Sequence, residues 1–318
     1  DAGRVDLERA DDYWDAGKPY VEGVTVEYDE DGEKLFGRLR AGELAFLREG
    51  SAERVARLSA DPEWHSCVVL AAQLHTQMLV FDAEQPPFND RRVRRAVAHA
   101  VDRRRLAGEA YGEMAIPAAG PIPPGLMGYE ADYRGLAYDP DLSRRLLAEA
   151  GHRAGLKLDL WRSFPEHAAS ERAGQIICEH LGAVGIDCRI RLAETAELIS
   201  AALEGRARLA ELSWYADYAD PDNFTYVLFH SANRKSSIGR TARVEEVDRL
   251  SARARTLVNH AERVHIYATL QRLIAEEALG AFLTHRRVAI IHRGDVEGLH
   301  VHLVSPVVRP QEIWLQKQ

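Results

Sequence analysis

Helix and strand patterns alternate along most of this chain, and that alternation restricts the possible folds more than any other feature. A helical pattern over 168–184 ends at Gly185 and is followed by an alternating, strand-like run over 186–192. A second helix, predicted over 194–204, leads into a strand over 208–213. Strands that alternate with helices are typical of α/β proteins, so the sequence predicts this fold class.

The strongest helix signal follows the run Pro86-Pro87-Phe88. Asn89 or Asp90 is predicted to cap this helix, and its apolar residues recur at helical spacing on one side: Val93, Ala96, Val97, Ala100 and Val101. The arginines between these positions are predicted to form a solvated face rather than an anion site.

The composition limits the classes of function. A chain of 318 residues with 46% hydrophobic and 28% charged residues can bury a sizeable core, and its length predicts two domains or lobes. The net charge of −8 argues against nucleic acid or an anionic membrane as partner. The N-terminus shows neither a signal sequence nor a cysteine for lipidation, so the chain is expected to start after a targeting segment or to belong to a larger polypeptide.

Cysteine and histidine are the residues that would indicate a metal site. Cys67, Cys178 and Cys188 cannot all pair, and their spacing fits no zinc motif. Cys178 lies in a helical pattern and Cys188 in a strand pattern, so we predict buried free thiols. His300 and His302 alternate on a possible strand, but no third ligand accompanies them, and we predict solvent-facing histidines and no metal.

Six sequence blocks in a fixed order carry a resemblance to a known family. They are Asp11-Asp12-Tyr13-Trp14 with Lys18-Pro19-Tyr20, Leu39 to Leu44, the Pro86-Pro87-Phe88 block with its helix and Val101-Asp102-Arg103, Tyr138-Asp139-Pro140 to Gly151, Leu181 to Ile186, and Trp214 to Phe224. Together these blocks resemble the extracellular solute-binding proteins of peptide- and nickel-type ABC importers, known as family 5.

The resemblance implies an α/β, two-lobe clamshell like that of the periplasmic binding proteins (class II, large cluster). On this map 1–82 form the C-terminal portion of the first lobe, 83–288 form the second lobe, and 289–318 return to the first. Family members are longer at the N-terminus, so the first lobe is expected to be incomplete. Truncation is favoured over a reduced relative, because a partial lobe would leave sheet edges and apolar faces uncovered.

The Trp214–Phe224 segment supplies the candidate ligand-binding residues. In peptide-binding family members an aspartate of this segment pairs with the free α-amino group of the ligand, and Asp217 is the matching position. A carboxylate partly removed from water binds an ammonium by a charge-assisted hydrogen bond. We therefore predict that Asp217 binds the ligand, with Trp214 and Tyr215 lining the pocket. The alternative is that Asp217 braces its own loop, as aspartates near Asp-Pro turns do.

Arg162 is a further candidate, because it lies just beyond the predicted strand that ends at Trp161. Its guanidinium would bind a carboxylate or a backbone carbonyl of the ligand. The alternative is an ordinary surface arginine, a residue type that is abundant in this chain.

The resemblance implies the solute-binding component of an ABC importer, which captures peptides and delivers them to a membrane permease. Such a protein would be extracytoplasmic, periplasmic or lipid-anchored, and monomeric, with no cofactor. No nucleophile elbow, phosphate-binding loop, dinucleotide fingerprint or zinc-protease helix is present in the sequence, which argues against an enzyme. The alternatives are a ligand-sensing domain of a cytoplasmic transcriptional regulator and an enzyme that reuses the fold.

Overall fold

The computed structural model describes residues 3–164, 168–233, 240–304 and 307–316. Its strands are β1 (Arg4–Glu8), β2 (Gly23–Glu27), β3 (Phe46–Glu49), β4 (Val68–Ala72), β5 (His75–Phe81), β6 (Ala115–Pro117), β7 (Leu156–Ser163), β8 (Ile186–Ala193), β9 (Leu209–Tyr215), β10 (Gly280–His292), β11 (Val296–Glu297) and β12 (Trp314–Leu315).

The α-helices are α1 (Gly32–Arg40), α2 (Ala52–Ala60), α3 (Arg91–Ala100), α4 (Arg103–Leu106), α5 (Pro140–Glu149), α6 (Ala168–Ala183), α7 (Thr195–Glu204), α8 (Tyr226–Phe229), α9 (Glu245–Ala254) and α10 (His260–Glu276). Helices and strands thus alternate as the sequence predicts. Among the described residues, none of these helices combines the length and apolar character that a membrane span requires.

The chain divides into two compact units. Unit 1 comprises Asp1–Ala72 and Arg287–Gln318, and unit 2 comprises Gln73–Arg286. The family resemblance predicts the corresponding divisions after residues 82 and 288. The assignment of these units to the two lobes of a clamshell stays a prediction.

Unit 1 is a small α/β assembly. The end of β10 pairs antiparallel with both β3 and β4, and β1 pairs antiparallel with β2. Side-chain caps start both helices: Asp31 accepts from the first turn of α1, and Ser51 accepts from that of α2. The buried cluster combines residues from these helices and strands, namely Phe36, Leu39, Leu47, Leu58 and Ile291.

Unit 2 contains the larger sheet. Its strand order is β10–β5–β9–β7–β8, in which β5 pairs antiparallel with β9 while β7 pairs parallel with both β8 and β9. The β7–α6–β8 segment forms a parallel crossover, which is consistent with the α/β class that the sequence predicts. Because β7 and β9 are parallel, their carboxyl ends lie at the same edge of the sheet.

The arginine face of α3 differs from the prediction. Arg91 and Arg92 are exposed, but the Arg94 side chain is buried and donates hydrogen bonds to the carbonyl oxygens of Phe88 (2.8 Å) and Ala278 (3.1 Å). Ala278 follows the end of α10, where carbonyl groups lack helical partners. Burial lowers the pKa of Arg94. The predicted solvated face is therefore wrong for this residue.

The cysteines also differ from the prediction. Cys178 and Cys188 form a disulfide with their Cα atoms 5.2 Å apart, whereas Cys67 is a buried free thiol as predicted. The pairing arises because the chain reverses at Gly185, which adopts a left-handed backbone with φ of 91°. This turn brings β8 back beside α6, so Cys178 of the helix and Cys188 of the strand come within bonding distance.

Candidate functional site

A cavity of about 240 Å³ opens within unit 2, where β7 and β9 reach their carboxyl ends. Ligands of open α/β sheets bind at this edge of parallel strands. The cavity floor carries polar side chains from several elements: His75, Gln77, Tyr111, Arg162, Glu211 and Arg286. Apolar side chains form much of the wall: Phe164, Leu198, Ile199, Leu212 and Tyr215.

Two wider hollows, of about 540 and 520 Å³, lie on the surface around Pro86 and Pro87. The lining of the first is exposed or half-buried throughout. The cavity in unit 2 instead brings buried polar groups together beside apolar walls, which is the character of a small-molecule site. We therefore take it as the candidate site.

Glu211 on β9 is the centre of the cavity floor. Its carboxylate accepts hydrogen bonds from Arg162 Nε (2.6 Å) and Nη2 (3.1 Å), and from Gln77 Nε2 (2.7 Å). The side chains of Arg162 and Glu211 are only 4% and 8% exposed. Burying charged groups is costly unless they are paired and hydrogen-bonded, a condition that this pair meets.

The structure excludes the alternative that Arg162 is a surface residue, and it shows which groups its guanidinium already binds. The residue is buried and lines the cavity, so it is not an ordinary surface arginine. Its guanidinium is already bound by Glu211, and Nη2 also donates to the carbonyl oxygen of Ser170 at 2.7 Å. Binding of a ligand group by Arg162 stays a prediction.

Tyr111 and Arg286 form the second part of the floor. Gln77 Nε2 donates to the Tyr111 hydroxyl at 3.0 Å, and Thr284 Oγ1 donates to Gln77 Oε1 at 2.7 Å. Burial raises the pKa of Tyr111, and the negative charge of Glu211 adds to the effect, so the phenol stays protonated at neutral pH. The guanidinium carbon of Arg286 lies 4.0 Å from the centroid of the Tyr111 ring, which is a cation–π contact.

Two buried histidines, one in the floor and one beside it, are neutral. The ring centroids of His75 and Tyr215, the latter on the cavity wall, lie 4.4 Å apart. Burial lowers the pKa of His75 well below its usual range, and the positive charge of Arg286 adds to this effect. Burial also lowers the pKa of His285 to about 4. His75 Nδ1 and His285 Nε2 have no hydrogen-bond partner within the described part of the chain.

The predicted residues of the Trp214–Phe224 segment separate into two groups. Tyr215 lines the cavity, together with Arg162. Trp214 and Asp217 instead meet at Asn223, whose Oδ1 accepts from Trp214 Nε1 at 2.8 Å and whose Nδ2 donates to Asp217 Oδ2 at 3.2 Å. Asp217 is exposed and is not part of the cavity lining. Its ligand-binding role stays a prediction, as does that of Trp214.

Sequence reasoning missed five floor residues: His75, Gln77, Tyr111, Glu211 and Arg286. The available signal was the presence of polar residues inside strands that otherwise read as apolar, such as Gln77 in β5 and Glu211 in β9. A buried polar residue is informative because it must be satisfied by a partner.

The described residues contain no group of three side chains suited to a metal ion. His302 does not stand free in solvent as predicted, because its Nε2 lies 2.9 Å from Glu312 Oε2 and its side chain is 25% exposed. His300 is exposed, in line with the prediction.

Comparison with known proteins decides the family. The model of the bacterial extracellular solute-binding proteins, family 5 (middle region), matches residues 2–236. The chain belongs to this family. Among curated family 5 relatives, di/tripeptide-binding protein 2 of Pseudomonas aeruginosa (strain UCBPP-PA14) is 30% identical over 92% of this chain and 55% of its own length. The dipeptide-binding protein of Escherichia coli (strain K12) is 25% identical over 96% of this chain and 56% of its own length.

Solved family 5 structures confirm the predicted α/β, periplasmic-binding-protein fold. The periplasmic binding protein DppA of Helicobacter pylori, in complex with the peptide STSA, matches with a TM-score of 0.82 and 25% identity over 99% of this chain and 61% of that one. A putative peptide-binding protein of Clostridium difficile gives a TM-score of 0.86 at 16% identity, over 99% of this chain and 65% of that one, which shows the shared fold. This chain therefore spans little more than half the length of the curated relatives that it matches.

Proposed function

We propose that this protein is the solute-binding component of an ABC importer and that its solute is a short peptide. The observation that carries the proposal is the 30% identity to a di/tripeptide-binding protein across 92% of the chain. The H. pylori structure with a bound tetrapeptide, STSA, supports the same ligand class. The cavity at the carboxyl ends of β7 and β9 is the described feature best suited to hold part of such a ligand.

Within this proposal, Asp217 binds the α-ammonium of the peptide. Only its Oδ2 is engaged, by Asn223, and Oδ1 makes no hydrogen bond to any residue of the described ranges. Asn223 also accepts from the Asp217 backbone N–H at 3.3 Å, so the same side chain that braces the loop holds the carboxylate in place. Tyr215 supplies an aromatic wall, Trp214 fixes the loop through Asn223, and Arg162 holds the Glu211 side chain in the floor.

Binding without turnover is part of the proposal. The relatives named above are binding proteins, and the two most buried charges of the cavity floor, Arg162 and Glu211, are paired with each other instead of being poised for proton transfer. The proposed partners are the peptide and a membrane permease, with a monomeric protein that does not bind nucleic acid.

An extracytoplasmic location is the remaining part of the proposal. The family is one of extracellular solute-binding proteins, and the Cys178–Cys188 disulfide suits an oxidising compartment. Alkylation of the protein under denaturing conditions, before and after reduction, tests this point, since Cys67 is buried in the folded protein. One reactive thiol before reduction and three afterwards are expected, whereas three before reduction would contradict the assignment.

Native mass spectrometry of protein purified without added ligand, followed by calorimetry with di- and tripeptides, tests the function. Retained peptide mass or micromolar binding is expected. Asp217→Asn should weaken binding by about 10- to 100-fold, because a hydrogen bond to a charged group contributes ~1.5–3 kcal/mol. Asp132→Asn, at another exposed aspartate, is the matched control. Absence of peptide binding would overturn the proposal, and conversion of a bound peptide would indicate an enzyme.

A further inference from the structure

The two arginines of the cavity floor differ in how their charges are balanced. Arg162 shares two hydrogen bonds with the Glu211 carboxylate, so each charge of that pair offsets the other. Arg286 lines the same cavity but makes no ion pair with any carboxylate in the described ranges. Its guanidinium instead makes a cation–π contact with the face of the Tyr111 ring. Among the residues that the structure describes, the floor therefore holds one cation without an anionic partner.

The neighbouring groups in the described part of the chain do not supply a negative charge for Arg286. Glu211 is held by Arg162 and by Gln77, so turning toward Arg286 would break three hydrogen bonds. Tyr111 stays a neutral phenol because burial raises its pKa. His75 is neutral as well, and an unprotonated imidazole carries no charge to offset a guanidinium.

The Tyr111 ring fixes the position of Arg286. The Tyr111 hydroxyl accepts from Gln77 at 3.0 Å, and Gln77 is itself fixed by Thr284 and Glu211 at 2.7 Å each. A cation held over a fixed ring loses little conformational freedom when it binds an anion, so more of the interaction energy appears as affinity. His75 Nδ1, which is buried and without a partner in the described residues, adds a polar atom to the same floor.

We propose that Arg286 is the anion-binding residue of this cavity and that the solute carries a carboxylate that ends beside it. The inference rests on the proposed function as a peptide receptor and adds which peptide group the floor selects. A guanidinium presents paired N–H donors that match a planar carboxylate, and the partly buried setting strengthens the bond. The carboxylate is either the C-terminus of the peptide or an acidic side chain.

Calorimetry with three tripeptides separates these sources: Ala-Ala-Ala, its C-terminal amide, and the amide of Ala-Glu-Ala. We expect the parent protein to bind at least one carboxylate-bearing peptide about 10- to 100-fold more tightly than the Ala-Ala-Ala amide. A preference for Ala-Ala-Ala assigns the C-terminus, and a preference for the Glu-containing amide assigns the side chain.

Arg286→Gln should remove that preference while changing affinity for the Ala-Ala-Ala amide by less than about threefold, since the amide carries no carboxylate for Arg286 to bind. Arg286→Lys should retain part of the preference, and Arg189→Gln, at an exposed arginine outside the cavity lining, should retain all of it. Thermal unfolding of each variant shows whether the fold is intact, and Arg286→Lys serves if Arg286→Gln is unstable.

The outcomes separate the two proposals. If the parent binds none of the peptides, the proposed function fails. If the parent binds the free acids and the neutral amide equally, or if folded Arg286→Gln and Arg286→Lys keep the full preference, the role of Arg286 is overturned while the peptide-receptor function stands.

Discussion

The cavity floor and the Trp214–Phe224 loop both hold carboxylates near the end of β9, but in opposite surroundings. Glu211 in the floor is 8% exposed and accepts three hydrogen bonds from Arg162 and Gln77. Asp217 in the loop is exposed, and one 3.2 Å hydrogen bond from Asn223 holds its side chain. The floor charge is therefore buried and held by its neighbours, whereas the loop charge is exposed to solvent.

The largest expected effect comes from removing the floor carboxylate. Glu211→Ala leaves the Arg162 guanidinium buried without a counter-charge, and breaking a buried pair in this way costs about 3–5 kcal/mol of unfolding free energy. Urea denaturation of the parent protein and of Glu211→Ala measures this loss of unfolding free energy. A loss below about 1 kcal/mol would show that the Glu211 charge does not stabilise the fold, and the contrast with the loop carboxylate Asp217 would then be wrong.

A double replacement is the matched control for this prediction. Arg162→Met with Glu211→Met removes both buried charges, and such replacements by apolar residues are often close to neutral. The double variant should therefore be more stable than Glu211→Ala. The reverse order would mean that the hydrogen bonds of the pair contribute more than the isolated charge costs.

A second expected effect is acid sensitivity confined to the buried region. His285 has a folded pKa of about 4. Since an unfolded histidine titrates near 6.5, the unfolded state takes up the proton first as the pH falls. Stability is thus complete above about pH 6.5 and is lost progressively down to about pH 4, by roughly 3 kcal/mol for this group. His75 acts in the same direction.

Urea denaturation between pH 7 and pH 4.5 tests the assignment by difference. His285→Gln should flatten the fall in stability relative to the parent protein, while replacement of the exposed His300 by Gln serves as control. Equal slopes in the parent and in His285→Gln would rule out this histidine as a source of acid sensitivity.

The contrast between loop and floor also explains what the sequence could predict. The loop is a run of consecutive residues, so its motif and the position of Asp217 are visible without a structure. The floor joins residues far apart in the chain: the residue numbers of Arg162 and Glu211 differ by 49, and those of Gln77 and Glu211 differ by 134. No local pattern encodes such pairings, because they depend on strand order and register.

The same reasoning applies to the fold. The α/β class follows from helix and strand periods, which are local, and Asp90, one of the two predicted capping residues, caps α3. The disulfide and the burial of Arg94 depend on how separate elements pack, and the sequence-based predictions failed for both.

A third prediction concerns the packing behind the floor. Gly174 in α6 lies against Arg162, and an added Cβ would overlap Nη1 of that side chain. Because Glu211 and Ser170 hold Arg162 in place, Gly174→Ala should destabilise the protein by about 1–3 kcal/mol through overpacking. Thermal denaturation is the measurement.

Gly182 in the same helix provides the matched control. A Cβ at this position meets no atom within 4 Å among the described residues. Gly182→Ala should therefore stabilise the protein by about 0.4–1 kcal/mol, because alanine restricts the unfolded chain. Equal effects at both positions would show that the Arg162 side chain moves to make room for the added Cβ. The floor would then be less rigid than its hydrogen bonds indicate.

The smallest effect on stability is expected at the tip of the loop. Asp217→Asn keeps an oxygen that can accept from Asn223, so the unfolding free energy should change by no more than about 0.5 kcal/mol. Asp220→Asn should cost more, about 1–2 kcal/mol, because Asp220 accepts from Arg263 at 2.8 Å and from the Asp222 backbone N–H at 2.9 Å.

Denaturation and peptide calorimetry on both variants separate a carboxylate that braces the loop from one that binds the ligand. If Asp217→Asn loses stability as Asp220→Asn does while its peptide affinity is unchanged, then Asp217 braces the loop. Retained stability with weakened binding would instead mark Asp217 as a carboxylate that the loop holds for a ligand.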